Sequence, residues 1–269
     1  RELPHMDLNL SGQSALITGS TLGIGLAIAE ALRADGADVI INGRSATRLA
    51  QAVDRLKRAP GTGSVRGLAL DLSTPQGAAS LLAELPSVDI LVNNLGIFEP
   101  KPFVDIPDED WARFFEVNVM SGVRLSRAYL PGMLERDRGR IVFVSSESGL
   151  QIPAEMVHYG MTKSAQIAIA RGLAELTAGT RVTVNSVLPG PTGTAGVQEF
   201  VSTLAAGAKQ TPQEFEREFF KSVRPTSLLK RFQTPDEIAA VVALVCSPRG
   251  SGINGSALRV DGGVVRSAF

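Results

Sequence analysis

Cysteine is almost missing: Cys246 is the single thiol in 269 residues, so no disulfide can form within the chain, and the usage suits a reducing compartment. Charge of one sign is lacking too. Twenty-seven basic residues balance twenty-seven acidic ones, which removes the electrostatic basis for a nucleic-acid or anionic-membrane partner. No apolar run reaches the roughly 20 residues that a spanning helix requires, and no signal-peptide pattern opens the sequence. Internal repeats, low-complexity linkers and composition breaks are equally absent. These absences lead to the expectation of a soluble cytoplasmic protein with no metal centre, acting on a small molecule. Residues 1–5 precede Met6 and read as a cloning remnant, which leaves 6–269 as the domain.

What the chain does have is 44% hydrophobic residues, enough for a full core. Short apolar strands are predicted at 15–18, 39–41, 65–70, 88–92, 141–144, 181–187 and 257–260. Helical patterns separate them. The helix after Ser73-Thr74-Pro75 and the one after Thr234-Pro235-Asp236-Glu237 open with a hydroxyl cap and a proline in the first turn. Strands alternating with helices imply a parallel sheet with right-handed crossovers. The fold expected is α/β: one doubly wound Rossmann domain, a seven-stranded parallel sheet with helices on both faces. Between 195 and 231 that rhythm stops. Two amphipathic segments there, 197–206 and 211–223 with Phe215, Phe219 and Phe220, read as a helical lid whose phenylalanines serve packing.

The first strand runs directly into Gly19-Ser20-Thr21-Leu22-Gly23-Ile24-Gly25 and then a helix. Strand, glycine-rich turn and helix form the context of a dinucleotide phosphate site, because glycines let backbone amides approach an anion at the helix N-terminus. Such turns also occur for tight packing alone. The second strand ends in Asn42-Gly43-Arg44 with no acid to hold a ribose 2′-hydroxyl. Arg44 suits a 2′-phosphate, or it is a solvated side chain at a loop. Asp71 either accepts from an adenine amino group or ends the third strand. Asn93-Asn94-Leu95-Gly96 closes the fourth strand with a loop suited to lie against a cofactor. A long helix predicted over 107–133 contains Asn118, a poor interior residue that marks either a local break serving a site or a surface position.

Chemistry enters with Tyr159 and Lys163, four residues apart on one helix face. An ammonium near a phenol favours the phenolate and lowers a pKa that otherwise lies near ~10. A phenol tuned in this way can exchange a proton with an alcohol near neutral pH. Ser146 ends the preceding strand, where its hydroxyl can share a mouth with the phenol. The same spacing also fits an ordinary surface pair.

Taken together, the ordered motifs resemble the short-chain dehydrogenase/reductase family from about residue 10 to residue 263. They are Thr18-Gly19-x-x-x-Gly23-Ile24-Gly25, Asp71-Leu72, Asn93-Asn94-x-Gly96, Asn118, Ser146, Tyr159-x-x-x-Lys163, Pro189-Gly190 and Asp261-Gly262-Gly263. The resemblance implies hydride transfer between a nicotinamide cofactor and a carbonyl or secondary alcohol, as in 3-oxoacyl-[acyl-carrier-protein] reductases. It makes Tyr159 the general acid, and has Lys163 lower its pKa and hold the nicotinamide ribose. Ser146 would hydrogen-bond the substrate oxygen, and Asn118 would hold a water linking Lys163 to solvent. The cofactor would lie along Gly19, Ser20, Thr21, Gly23, Ile24, Gly25, Arg44, Asp71, Leu72, Asn93, Leu95, Gly96, Tyr159, Lys163, Pro189, Gly190, Thr192 and Thr194. A homotetramer is implied in the same way.

Leu95 departs from the family's usual Ala, placing a bulkier side chain near the adenosine. Leu22 stands where NADP-preferring members often carry a cation. Arg44 and the missing acid at Gly43 therefore carry the expectation that NADP(H) is preferred, with NAD(H) as the second cofactor. Two other functions fit the scaffold: a sugar or polyol dehydrogenase, and a non-catalytic nucleotide-binding regulator, against which the intact Ser146, Tyr159, Lys163 and Asn118 set argues. The substrate pocket is expected along 147–156 and the lid, with Gln151, Glu155 and His158 as polar candidates or as surface and subunit-contact residues. Lys209, Lys221, Arg224, Lys230 and Arg231 either receive an acidic carrier protein or face water.

Overall fold

The computed structural model describes residues 8–194, Val197 and 211–268. Its strands are β1 (Ser14–Ile17), β2 (Asp38–Gly43), β3 (Val65–Ala69), β4 (Ile90–Asn93), β5 (Gly139–Val144), β6 (Val182–Pro189) and β7 (Ala257–Val260). They form one seven-stranded sheet in the order β3-β2-β1-β4-β5-β6-β7. Every neighbouring pair is parallel. The chain steps outward one way from β1 to β3 and then crosses back to β4, so strand order reverses between β1 and β4. Such a switch opens a crevice at the carboxyl ends of the strands, where ligands of open α/β sheets bind.

Eight helices among the described residues flank the sheet: α1 (Gly23–Ala34), α2 (Ala46–Arg58), α3 (Pro75–Glu84), α4 (Asp108–Phe115), α5 (Ser121–Glu135), α6 (Val157–Glu175), α7 (Pro212–Ser222) and α8 (Pro235–Cys246). Side chains alternate along a strand, so adjacent Leu16 and Ile17 enter different cores. Ile17 packs with Ile28 and Leu32 of α1 and Val242 of α8. Leu16 packs with Leu81 of α3 and with Leu125 and Met133 of α5. Both faces are covered, which explains strands that are apolar runs without polar alternation.

Local signals set the helix ends. Gly36 follows α1 at φ +97°, its N–H donating to Arg33 O while Ala37 N–H reaches Leu32 O, the pair of bonds that closes a Schellman motif. Thr74 caps α3, and Thr211 and Thr234 form capping boxes with Glu214 and Glu237 at the starts of α7 and α8. The helix predicted over 107–133 is broken: a π-helical turn, Glu116–Met120, separates α4 from α5 and contains Asn118. Asn118 is fully buried, so the local-break reading holds and the surface reading does not. The second amphipathic segment forms α7, with Phe220 buried against Phe219 and Phe232. The first, 197–206, lies outside the described residues except for Val197. Among the described residues no helix is long and apolar enough to cross a membrane.

Candidate active site

The glycine turn is built for a close approach. Gly19 and Gly23 hold φ +59° and +58°, a backbone conformation that side chains oppose. A Cβ on Gly25 would lie 2.5 Å from Asn94 Nδ2 and 2.8 Å from Gly19 O. Asn94 locks this turn, since its Nδ2 donates to the carbonyls of Thr18 (2.9 Å) and Gly19 (3.0 Å). Thr18 Oγ1 accepts from the backbone N–H groups of Asn94 and Leu95. Leu22, the residue before α1, supplies no side-chain cap, and no acid stands in the first turn, so the N–H groups there remain open to an anion. The loop after β6 closes over the turn, placing Thr194 Cγ2 3.1 Å from where a Gly23 Cβ would stand.

Several expected cofactor residues present only backbone here. Ser20 is buried, its hydroxyl donating to Ile17 O (2.6 Å) and accepting from Asn42 N–H (3.0 Å). Leu72 is a core side chain. The Asn93 side chain is likewise buried and donates to Ser126 on α5. Leu95 packs partly into the same core while its Cδ1 stays over Gly19, so it crowds the adenosine edge less than a bulky side chain there implied. Thr192 Oγ1 is tied to Gly190 O at 2.9 Å. Gly190 itself lies against Asp261, where a Cβ would meet backbone at 2.6 Å.

Arg44 extends from the end of β2, largely exposed, with Nη1 3.7 Å from Asp71 Oδ2. Asp71 also accepts from Ser73 Oγ (2.6 Å) and Ser73 N–H (3.1 Å). Burial pushes its carboxyl up, but the Ser73 hydrogen bonds and the Arg44 charge outweigh it and hold the group below the usual carboxylate range. A Cβ at Gly43 would lie 2.5 Å from Thr21 Cγ2, so Thr21 occupies the place from which an acid at 43 would project.

Ser146, Tyr159 and Lys163 come together at the carboxyl end of β5. Ser145 Oγ donates to Lys163 O (2.8 Å), tying that strand end to α6. Lys163 is buried, and its Nζ donates to Val144 O (3.0 Å) and Gln166 Oε1 (3.1 Å). Burial brings its pKa down to about 8, although the Glu147 carboxylate pulls the other way. The ammonium lies 5.6 Å from the centroid of the Tyr159 ring. The expected lowering of the Tyr159 pKa is not found. Burial and the Glu147 charge push the phenol well above its ordinary value, against smaller lowering effects from the Ser146 hydroxyl and Arg224. The phenol is therefore a proton donor at neutral pH.

Asn118 is held through both its side chain and its carbonyl. Its amide is saturated by the backbone of Ile97 (2.8 and 3.0 Å) and by Thr162 Oγ1 (3.0 Å). Its backbone carbonyl, within the π turn, accepts from Gln166 Nε2 at 2.6 Å. Since Gln166 Oε1 accepts from Lys163, a glutamine side chain bridges Lys163 to the Asn118 carbonyl. Sequence reasoning missed Gln166, although its position three residues after Lys163 puts it on the same helix face.

Beside the Ser146 and Tyr159 hydroxyls opens a cavity of about 350 Å³ lined by Phe98, Met156, Phe215, Phe219, Val223 and Phe232, among others. A neighbouring cavity of about 250 Å³, reaching Gly96, Lys163, Pro189 and Thr194, shares Ser146 and Tyr159 with it. One suits a substrate and the other the reactive end of a dinucleotide, so the residues present fit such a cofactor. Two charged residues of the expected pocket segments, Glu147 and Arg224, line the larger cavity and pair with each other. Glu147 is 4% exposed and accepts from Ser146 Oγ (2.5 Å) and from Arg224 Nε (3.2 Å). Arg224 also donates to Glu155 Oε1 at 3.0 Å, so Glu155 does reach the pocket wall.

His158 lies outside both cavities and is not a surface residue. It is fully buried beside Phe114 (4.0 Å between centroids) and Trp111 (6.0 Å), and burial lowers its pKa. Gln151 is exposed and donates to Thr226 at 3.4 Å. Of the basic residues considered for a carrier protein, Arg224 is inside the pocket and Arg231 pairs with Glu237; Lys209 lies outside the described residues.

Comparison with known proteins agrees with this geometry. The family model for short chain dehydrogenase matches residues 13–205. The chain is 52% identical to the uncharacterised oxidoreductase YvaG of Bacillus subtilis (strain 168) over 264 residues, covering 98% of this chain and 100% of that protein. It is 35% identical to the 3-oxoacyl-[acyl-carrier-protein] reductase FabG of Vibrio cholerae, with 96% and 99% covered. Among solved structures it resembles the L-sorbose reductase of Gluconobacter frateurii complexed with NADPH and L-sorbose, at TM-score 0.90 and 32% identity, covering 97% of this chain and 100% of that one. With the sheet order, the glycine turn and the Ser146, Tyr159 and Lys163 cluster already in place, the chain belongs to the short-chain dehydrogenase/reductase family of oxidoreductases.

Proposed function

We propose that this enzyme reduces the carbonyl group of a free small molecule to a secondary alcohol with NADPH, Tyr159 acting as the general acid. The observation that carries the reading is the Tyr159 phenol beside Ser146, at the meeting of the two cavities and held protonated by burial. When bound, the reduced nicotinamide supplies the hydride. Negative charge then grows on the substrate oxygen, and two hydroxyls answer it: Ser146 donates a hydrogen bond and Tyr159 transfers its proton. Lys163 sits buried behind them, where its ammonium compensates the phenolate left on Tyr159 and its Nζ can turn towards the nicotinamide ribose. Gln166 fixes that ammonium against the Asn118 carbonyl.

Along the dinucleotide, backbone amides of Gly19, Thr21, Ile24 and Gly25 would hold the pyrophosphate, and Gly96 and Thr194 would border the nicotinamide side. The preference for NADP(H) rests on Arg44, the one cation at the end of β2, and on the missing acid at Gly43. That the sorbose reductase it resembles was crystallised with NADPH supports this choice. A free substrate is favoured over one carried on acyl-carrier protein because Arg224, the cation nearest the pocket, points inward and is already paired with two carboxylates. The reading extends to one catalytic domain over 6–269 with a lid over 195–231, working in the cytoplasm as a homotetramer.

The test is a panel of ketones, ketoses and secondary alcohols with both nucleotides, followed at 340 nm in wild type and Tyr159→Phe. Turnover with NADPH should be lost in the variant while nucleotide binding survives. A variant retaining a tenth of wild-type turnover, with chemistry limiting, removes Tyr159 as the acid.

A further inference from the structure

The one proton of the Ser146 hydroxyl is already in use. Ser146 Oγ accepts from Ser148 N–H at 3.1 Å and donates to Glu147 Oε2 at 2.5 Å. Its role in stabilising a substrate oxygen requires the same proton. When Ser146 turns to the substrate, Glu147 Oε2 is left without a donor in a site where Glu147 is 4% exposed. Arg224 is already engaged at the other oxygen: its Nε serves Glu147 Oε1, its Nη1 is divided between Glu155 and Val223 O, and its backbone N–H is held by Phe219 O of α7. A substrate that brings its own donor to Glu147 removes the conflict.

We propose that Glu147 accepts a hydrogen bond from a hydroxyl on the carbon next to the reacting carbonyl, so that the preferred substrates are α-hydroxyketones and the products 1,2-diols. The proposal rests on the carbonyl-reductase reading of this site and deepens it. Both the substrate carbonyl oxygen and Glu147 Oε2 must lie within hydrogen-bond reach of the same Ser146 oxygen. Oxygens on adjacent carbons are about one hydrogen-bond length apart, so one molecule can span both positions. The substrate hydroxyl takes the place of Ser146 at Glu147, and the Ser146 O–H, keeping its proton, turns to donate a hydrogen bond to the carbonyl oxygen. The chemistry is unchanged: the carbonyl carbon gains a hydride from the reduced nicotinamide, its oxygen gains the Tyr159 proton, and the cofactor leaves oxidised.

The rest of the pocket defines the substrate further. Glu147 and Glu155 set two carboxylates against one guanidinium, so a carboxylate or phosphate group on the substrate meets a net negative wall. An ammonium group in place of the hydroxyl would have to be desolvated among Phe98, Met156, Phe215, Phe219 and Phe232. A neutral hydroxyketone with a short apolar tail matches both conditions.

The test compares 1-hydroxy-2-butanone with 1-methoxy-2-butanone, whose ether oxygen activates the carbonyl similarly but has no proton to donate. Leaving a buried charged acceptor unpaired weakens binding about tenfold to a hundredfold, so wild-type kcat/KM should favour the hydroxyketone by that factor. In Glu147→Ala the ratio should fall towards one, whereas a merely structural role would lower both substrates together and keep the ratio. Binding is read separately by saturation-transfer NMR on the nucleotide-free protein, where 1,2-butanediol should bind and 1-methoxy-2-butanol should not compete with it. Equal kcat/KM for the two ketones in an active wild type overturns this proposal and leaves the carbonyl-reductase reading standing. If no carbonyl is reduced with either nucleotide, that broader reading fails, and equal binding of the diol and its ether overturns the Glu147 assignment as well.

Discussion

Replacing Lys163 with Met should change how stability depends on pH, by an amount the structure sets. Burial lowers the lysine pKa from 10.5 to about 8 in the folded protein, and unfolding returns it to the higher value. Between those values the unfolded chain binds more protons than the folded one, so this lysine makes stability rise with pH from about 8 to 10.5. Below about pH 8 its full cost applies, roughly 3 kcal/mol at about 1.36 kcal/mol per unit. Methionine has similar length and no charge to desolvate. It also forfeits the hydrogen bonds to Val144 O and Gln166 Oε1, worth about 1 kcal/mol each, but that loss does not vary with pH. The slope, not the sign at one pH, is therefore the test. Tyr129 and Cys246, both pushed up to about 12 by burial, titrate in both proteins and cancel in the difference. Urea unfolding followed by Trp111 fluorescence, at one protein concentration, should show wild type gaining about 2 kcal/mol on the variant between about pH 7.5 and 9.5. A difference flat across that range would refute a buried, desolvated ammonium at this position.

Ser146→Ala should lower kcat by about 10²-fold or more, the scale for losing one donor to a developing oxyanion; an unchanged kcat, with chemistry limiting, would leave Ser146 only its structural bonds to Ser148 and Glu147. Gly25→Ala should abolish nucleotide binding measured by calorimetry, because the new Cβ meets Gly19 O at 2.8 Å and Ser20 Cα at 2.9 Å, both backbone that cannot step aside. Retained affinity there would show that the turn can relax. Gly43→Asp with Arg44→Leu should reverse the preference between NADPH and NADH in kcat/KM, the Arg44 contribution being about tenfold. The new Cβ requires only Thr21 Cγ2, now 2.5 Å away, to rotate. A wild type preferring NADH would count against Arg44, as would a double variant still preferring NADPH.

The sequence by itself determined the sheet, the helix starts and the cluster of Ser146, Tyr159 and Lys163, because each depends on short-range chemistry. Apolar runs bounded by glycine, proline or hydroxyl caps define strands and helices locally. A Tyr and a Lys four residues apart share a face of any helix. The break at Asn118 was legible as an alternative, since an interior asparagine competes with the helix backbone; only its complete burial decided between break and surface. Tertiary structure alone decided what these groups meet. Ser20 and Asn93 stand in the right motifs, yet packing turns their side chains inward, to Asn42 and Ser126. Periodicity does not report on which side of a strand end the crevice lies. The Tyr159 pKa moved opposite to the helix-face argument, because spacing describes a neighbour but not the water removed around it. The Glu147 and Arg224 pair joins residues 77 apart, and no local pattern links them. Only the return of the chain after α7 over the end of β5 brings a guanidinium to that carboxylate and, through it, to the proton of Ser146.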